Sequence, residues 1–296
     1  MNLAVDLGQS GSRLRIGDHS INSVRGKLAG EHPLPALRVF FEKIERLQAD
    51  VVSLSCTGFG GVVTDPVPFL QLCNEFFGAK KVAVIDDGLA GFVGALSGSD
   101  GVVLSIGGGV VSVGGLGSTF AHRDGLGSTF GDEGGGYWLG KLGITKALGI
   151  RQGRGADQIL LNIFKNHIDA YDALDVKNGA DAATLAISAA KDLLDAADQK
   201  SAIAIAIRNE GAMLLAQTAV ATWSGVGGGA NDSPEIAIHG GPARNISYVN
   251  QIQQSIAEKI PNAKFVKPRG DNLDGALWIA ENMHSDAKPL LRWATT

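Results

Sequence analysis

The chain has 296 residues, of which 45% are hydrophobic and 19% charged, and its formal net charge is −4. That length supports two hydrophobic cores. The absence of any Lys/Arg block argues against a nucleic-acid partner, and no apolar run is long enough to cross a bilayer, which predicts no membrane partner.

The chain opens directly as an apolar strand at 3–5, with neither a basic nor an apolar leader pattern, which predicts a cytoplasmic protein. Cys56 and Cys73 are too few for a disulfide framework or a cysteine metal site. The six histidines show no ligand spacing.

In chain order, a polar Gly/Ser turn at 9–12 follows the first strand. Leu14 and Ile16 then alternate with Arg13 and Arg15, the pattern of a returning strand. Apolar residues at helical spacing over 37–47 predict an amphipathic helix. A strand is expected at 51–54, and a helix over 70–77 that stops at Gly78. A strand at 82–85 runs into Asp86 and Asp87, and Asp87 is expected to cap a helix reaching Leu96. After 98–101 the pattern restarts. An apolar strand at 102–106, broken only by Ser105, turns at Gly107, Gly108 and Gly109 into a second at 110–113. From 137 to 223 the chain reads as alanine-rich helix, interrupted near 153–155 and at Asn178 and Gly179. A loop at 225–233, a strand at 235–238 ending in Gly240 and Gly241, a helix at 246–260, a short strand at 265–266 and a helix at 272–283 complete it. The five residues Leu-Gly-Ser-Thr-Phe occur at 116–120 and again at 126–130, which reads as coincidence in a Gly/Ser-rich hairpin.

Each half thus holds a strand, a Gly/Ser turn and a returning strand. Duplicated α/β halves predict a ligand cleft between them, with the two turns facing each other. The most informative stretch is 123–138, where Gly125, Gly127, Gly131 and Gly134 to Gly136 surround Asp132 and Glu133. So many glycines disfavour both helix and strand. They let backbone N–H groups and carboxylates approach a small polar ligand. The turn from Asp6 through Gly8, Gln9, Ser10, Gly11 and Ser12 can hold phosphate oxygens. It is not a P-loop, since no Gly-Lys-Ser/Thr follows. Two such turns could grip a γ-phosphate from both sides. Asp6 could hold Mg²⁺ directly or through water. A carboxylate at 86 or 87 is placed to accept a hydroxyl proton. Helix phase alone leaves open which of the two faces a ligand.

Together these residues resemble the N-acetylglucosamine kinase family of BadF/BadG/BcrA/BcrD-type ATPases, within the actin-like ATPase superfamily. The likeness runs nearly end to end. Residues 6–13 resemble its first phosphate turn, 84–95 the segment with its catalytic aspartate, and 102–109 its second phosphate turn. Residues 131–138 resemble its sugar-bordering segment, 238–244 its adenosine motif, and 268–277 its C-terminal signature.

The resemblance implies an α/β fold of two duplicated actin-like (ribonuclease H-like) ATPase domains with a ligand cleft between them. The first would span 1–98 with 272–296 returning to it, and the second 99–271. It implies transfer of the γ-phosphate of ATP, with Mg²⁺, to a hydroxyl, first O6, of an amino sugar. N-acetylglucosamine is the first choice and glucosamine the second. Asp87 would be the catalytic base. Gly8, Gln9, Ser10, Gly11, Ser12, Gly107, Gly108, Gly109, Gly240 and Gly241 would bind nucleotide. Asp87, Gly109, Gly125, Asp132, Glu133 and Gly136 would bind sugar, and Asp6 the metal. Homodimers are common in the family.

Two departures stand out. The family's second turn is usually Gly-Thr-Gly-Ser, where this chain has Gly107, Gly108, Gly109 and Val110. After the first hairpin the family carries an Asn-rich sugar-reading segment, where this chain has a compact 26–35. Two other readings remain: a sugar- or nucleotide-binding regulator without catalysis, and an ATP-driven activator of an iron–sulfur enzyme. Against the second, no cysteine follows Cys73.

Overall fold

A computed structural model describes residues 1–9, 11–23, 26–28, 30–45, 47–173 and 179–296. Eleven strands and ten α-helices alternate along these residues. The chain forms two compact units. The first gathers residues 1–103, 113–122 and 267–296, and the second 104–112 and 123–266. Against the expected bounds of 1–98 with 272–296 and 99–271, residues 99–103, 113–122 and 267–271 fall in the first unit.

The first sheet is built on β1 (Asn2–Leu7), β2 (Ser12–Ile16), β3 (His19–Ser23), β4 (Val51–Cys56) and β5 (Lys81–Asp86). Its order is β11-β5-β4-β1-β2-β3, with β11 (Leu291–Thr295) added at the edge. The hairpin strands β1, β2 and β3 pair antiparallel, whereas β1, β4 and β5 run parallel. The parallel strands are almost wholly buried, as continuous apolar runs require. Leu3, Val5, Leu14, Leu54, Val82 and Val84 form the core with Phe40, Phe41 and Phe77 from α1 (Pro33–Phe41) and α2 (Val67–Phe77).

The second sheet has the order β10-β9-β6-β7-β8. Its strands are β6 (Gly101–Ile106), β7 (Val110–Leu116), β8 (Thr119–Asp124), β9 (Glu235–His239) and β10 (Lys264–Val266). Setting β11 aside, both sheets share one plan: a three-strand hairpin run followed by two further strands. The duplication expected from the restart near residue 100 is therefore present in the topology. Between β8 and β9 run α4 (Gly136–Arg151), α5 (Gln158–Ile163), α6 (Lys165–Ala173), α7 (Gly179–Asp198) and α8 (Ala202–Gly225). Then come α9 (Ile246–Ala257) and α10 (Asn272–Asn282). Among the described residues, no helix is long and apolar enough to cross a membrane.

Several expectations shift. Helix α1 starts at Pro33 rather than 37, because proline suits a first helical turn and the His32 ring accepts from the Leu34 N–H. It ends at Phe41. The apolar period then continues through three-residue turns, with Lys43 N–H on the Phe40 carbonyl and Ile44 N–H on that of Phe41. Ile44 and Leu47 still reach the core, so the predicted face is right although its last part is not α-helical. The stretch 123–138 is not all loop. Arg123 and Asp124 finish β8, and α4 begins at Gly136, where helical N–H groups are satisfied by a neighbouring turn. The break at Asn178 falls outside the described residues. A further break, between α7 and α8, comes where Lys200 takes φ 74° and Ser201 caps α8. Strands β3, β8 and β11 carry weak alternation and were not anticipated.

The two Leu-Gly-Ser-Thr-Phe copies fold differently. The first makes the β7–β8 turn and packs Phe120 edge-on against Phe92 from α3 (Asp87–Leu96). The second is a loop with Phe130 88% exposed. That difference fits coincidence rather than a structural repeat.

Candidate active site

In the first unit, carboxylates collect where the parallel strands end. Register places Asp6 opposite Ser55 and Cys56 opposite Asp86, so the ends of β1, β4 and β5 lie side by side. In open α/β sheets, ligands bind beyond such strand ends. Asp6 is buried. Its Oδ1 accepts from the Ser55 hydroxyl at 3.1 Å, and its Oδ2 from Arg13 Nη2 at 2.7 Å and Nε at 3.2 Å. Arg13 also donates from Nη1 to Asp271, which caps α10. Arg15 pairs with Asp274 one turn further along, so the two arginines of β2 tie the strand to that helix start.

The expectation that Asp87 caps α3 is corrected. Asp86 is the N-cap: its Oδ1 accepts from the Gly88 N–H and its Oδ2 from the Gly61 N–H, each at 3.0 Å. The cap residue keeps extended backbone while its carboxylate reaches the first free helical N–H groups, and the residue at the strand end meets that condition. Asp86 is 1% exposed and both its oxygens have backbone donors. Asp87 stands at the first helical position, partly open to solvent. Burial, and then the neighbouring Asp86 charge, push its carboxyl up from 3.8 to about 6. The Thr57 hydroxyl, on the loop after β4, pulls in the opposite direction by bonding the ionised form. A carboxyl raised this far is able to exchange a proton closer to neutrality than an ordinary aspartate.

The first Gly/Ser turn closes through Gly8 N–H on the Gly11 carbonyl. Gln9 is exposed at its tip, Ser12 is buried at the start of β2, and Ser10 lies outside the described residues.

In the second unit, Gly107, Gly108 and Gly109 join β6 to β7. Gly107 N–H bonds the Gly109 carbonyl, while the Gly107 and Gly108 carbonyls accept from the Gly136 and Tyr137 N–H groups that open α4. Among the described residues, the Gly108 and Gly109 N–H groups have no acceptor. The turn is pinned from behind by Asp132, whose Oδ1 accepts from the Val110 N–H at 2.9 Å. Asp132 holds a left-handed backbone, φ 60°, and its own N–H bonds Asp124. A side chain on Gly109 would strike the Asp132 carboxylate at 2.6 Å, so the pin requires glycine there. Gly125 N–H completes the brace on the Val110 carbonyl. Glu133 is exposed.

Beside this turn lies a cavity of about 470 Å³. Gly107, Gly108 and Gly241, expected to bind nucleotide, border it together with Gly136, which was expected on the sugar side. Gly240 is not in the wall. It takes φ 111°, and a side chain there would meet the Ile106 carbonyl at 2.0 Å, so it lets β9 pass close to β6. Sequence reading missed the opposite wall, made by Ile187, Ala190, Lys191, Leu194 and Asp195 of α7 with Arg244. Their spacing of three and four residues puts them on one helical face. That period was readable, but a helix face alone gives no sign of whether it meets a core or a ligand.

No group of three or more His, Cys, Asp or Glu able to hold a metal occurs among the described residues. Asp6 already spends both oxygens on Ser55 and Arg13, which does not suit direct coordination. It does suit a hydrated Mg²⁺ held through water, since that ion sheds its waters reluctantly and needs few carboxylates.

No protein-family model and no curated protein matches the sequence. Solved structures do. The chain is similar to a provisionally named N-acetylglucosamine kinase from Chromobacterium violaceum, with TM-score 0.62 and 19% identity over 94% of this chain and 98% of that one. A second provisionally named N-acetylglucosamine kinase, from Porphyromonas gingivalis, gives 0.65 and 15% over 96% and 100%. A ROK-family glucokinase from Streptomyces griseus, solved with glucose and AMPPNP, gives 0.55 and 14% over 95% and 98%. At such identities the likeness establishes the fold alone: this chain shares the two-sheet α/β architecture of these solved structures.

Proposed function

We propose that the protein is an ATP-dependent carbohydrate kinase that phosphorylates a hydroxyl, first O6, of an amino sugar. N-acetylglucosamine is the first candidate and glucosamine the second. The observation that carries this reading is Asp87. It is a carboxyl at a parallel strand end, spared from capping by Asp86 and raised to about 6. A base so placed takes the acceptor's hydroxyl proton as the oxygen attacks phosphorus. The names of the two N-acetylglucosamine kinase structures and the glucose and AMPPNP of the glucokinase support the same reaction class.

The chain's own residues divide the work. The N–H groups of Gly108 and Gly109, without an acceptor among the described residues, suit phosphate oxygens, as glycine turns and helix starts commonly do. The cavity beside them, with apolar Ile187, Ala190 and Leu194 and polar Lys191, Asp195 and Arg244, suits a nucleoside. The turn 8–12 is the second phosphate-binding element, and Gly125, Glu133 and the Asp132-pinned turn are the sugar-side candidates of the second unit. When bound beside Asp6 through water, Mg²⁺ would neutralise phosphate charge. Excluding water around the acceptor limits wasteful hydrolysis.

A coupled ADP-release assay with Mg·ATP tests the reading. The panel holds N-acetylglucosamine, glucosamine, N-acetylmannosamine, glucose and a no-sugar blank. Turnover on one amino sugar well above the blank is the expected result. Tight sugar binding with a flat panel would instead favour a binding protein, the reading that Val110 in place of the family serine keeps in view.

A further inference from the structure

The compact segment that replaces the family's Asn-rich stretch carries a buried lysine. Lys27 is only 3% exposed. Its backbone rests on the first turn: Lys27 N–H donates to the Gly8 carbonyl at 2.9 Å. A side chain on Gly26 would meet the Gly8 and Gln9 carbonyl oxygens at 2.3 and 2.4 Å, so the segment lies directly against that turn. The Lys27 side chain then crosses to the loop after β4. Its Nζ would be 2.6 Å from a Cβ on Gly58, so the ammonium packs against a bare glycine backbone. Gly58 follows Thr57, whose N–H bonds the Leu7 carbonyl and whose hydroxyl bonds Asp87. The ammonium is thus lodged between the two segments that border the carboxylate cluster.

Its hydrogen bonding is unfinished. An ammonium has three N–H donors. Among the described residues, Lys27 Nζ has one acceptor, the Leu28 carbonyl at 3.1 Å, and no carboxylate pairs with it. An ammonium with unused donors beside a polar turn can offer them to an anion when one arrives. Residues 26–28 belong to no helix or strand, so the side chain can exchange the Leu28 carbonyl for a ligand oxygen by rotation about its terminal bonds.

We propose that Lys27 is an oxyanion-binding residue of this site, taking a phosphate or carboxylate oxygen of the bound ligand. The two sources differ in meaning. A phosphate oxygen would belong to the nucleotide, whereas a carboxylate would belong to an acidic sugar acceptor. This rests on the kinase reading only for the identity of the ligand.

The test is thermal unfolding of the full chain as wild type, Lys27→Met, Lys27→Gln and Lys27→Arg. The probes are sodium tripolyphosphate, glucuronate and neutral glucose, each at ionic strength matched with sodium chloride. Without ligand, Lys27→Met is expected to melt near the wild-type temperature, because methionine keeps the apolar stem and the ammonium has no carboxylate on it among the described residues. With ligand, the Met and Gln variants should lose at least half of a shift that wild type and Lys27→Arg show. Loss of the tripolyphosphate shift assigns the nucleotide phosphates, and loss of the glucuronate shift assigns an acidic acceptor. Unchanged shifts in the Met and Gln variants overturn the proposal, as does a wild type that responds to neither anion. A ligand-free Lys27→Met that melts several degrees lower with its shifts intact would make Lys27 a structural strut. The sugar panel fails or succeeds independently: turnover with Lys27-independent shifts sinks only this inference, and Lys27-dependent shifts without turnover sink only the kinase.

Discussion

Replacing Asp87 with Asn should cut turnover sharply and at the same time stabilise the protein. The folded chain holds the Asp87 proton up to about pH 6, whereas the unfolded chain releases it near 3.8. Ionised Asp87 therefore costs folding free energy. The cost is absent below pH 3.8, grows between 3.8 and about 6, and is full above 6. At about 1.4 kcal/mol per pH unit, the rise corresponds to at most about 3 kcal/mol. Partial exposure of the side chain screens this to about 1–2 kcal/mol, a few degrees in melting temperature. Asn keeps the shape and can still accept from Thr57, but it carries no charge beside Asp86. The assay is urea unfolding of wild type and variant at pH 4, 5, 6 and 7.5, alongside turnover. The variant should match wild type near pH 4, exceed it at pH 7.5, and lose about 10²–10⁴-fold in kcat if Asp87 is the base. A variant less stable than wild type at pH 7.5, or a gain that does not vary with pH, would refute the electrostatic account. Near-normal turnover would move the base elsewhere.

Three further outcomes are expected. Asp86→Asn removes the second-largest cause of the raised Asp87 carboxyl, so the acid limb of a pH–rate profile should move below 6. It also surrenders one of two backbone acceptors, for about 1–2 kcal/mol by chemical denaturation. Gly275→Ala should cost about 2 kcal/mol or more, because a Cβ there would sit 1.8 Å from the Ala90 carbonyl where α10 crosses α3. A melting-temperature measurement checks it. Gly241→Leu should fold normally, since nothing lies within 4 Å of its Cβ position, yet it borders the cavity. Its ATP affinity by calorimetry should fall about tenfold or more, while sugar affinity is unchanged.

Much of the fold was legible because its cause is local. Largely apolar runs at 51–54, 82–85 and 102–106 favour burial on both faces, and they became inner strands of the two sheets. The edge strands were not legible: β3 reads His-Ser-Ile-Asn-Ser, and β11 follows a loop that its own residues do not announce. Both are held by hydrogen bonds to partners distant in sequence, β11 to β5 above all.

The site divides the same way. The glycine turns were readable, since only glycine tolerates the approach of Gly26 to the first turn or of Gly109 to Asp132. Which of two adjacent aspartates caps α3 depended on where the strand ends, a matter of one residue that periodicity does not resolve. Sequence by itself determined the duplicated strand–turn–strand plan and the residue types at its turns, because apolar periodicity and glycine sterics act within a few residues. Tertiary structure alone decided that Asp86 takes the backbone donors and leaves Asp87 raised. It alone brought a face of α7 to the wall beside Gly107 and set Lys27 against Gly58, with no carboxylate on it among the described residues. Burial and charge pairing depend on which distant segments meet, and no single stretch of chain encodes that.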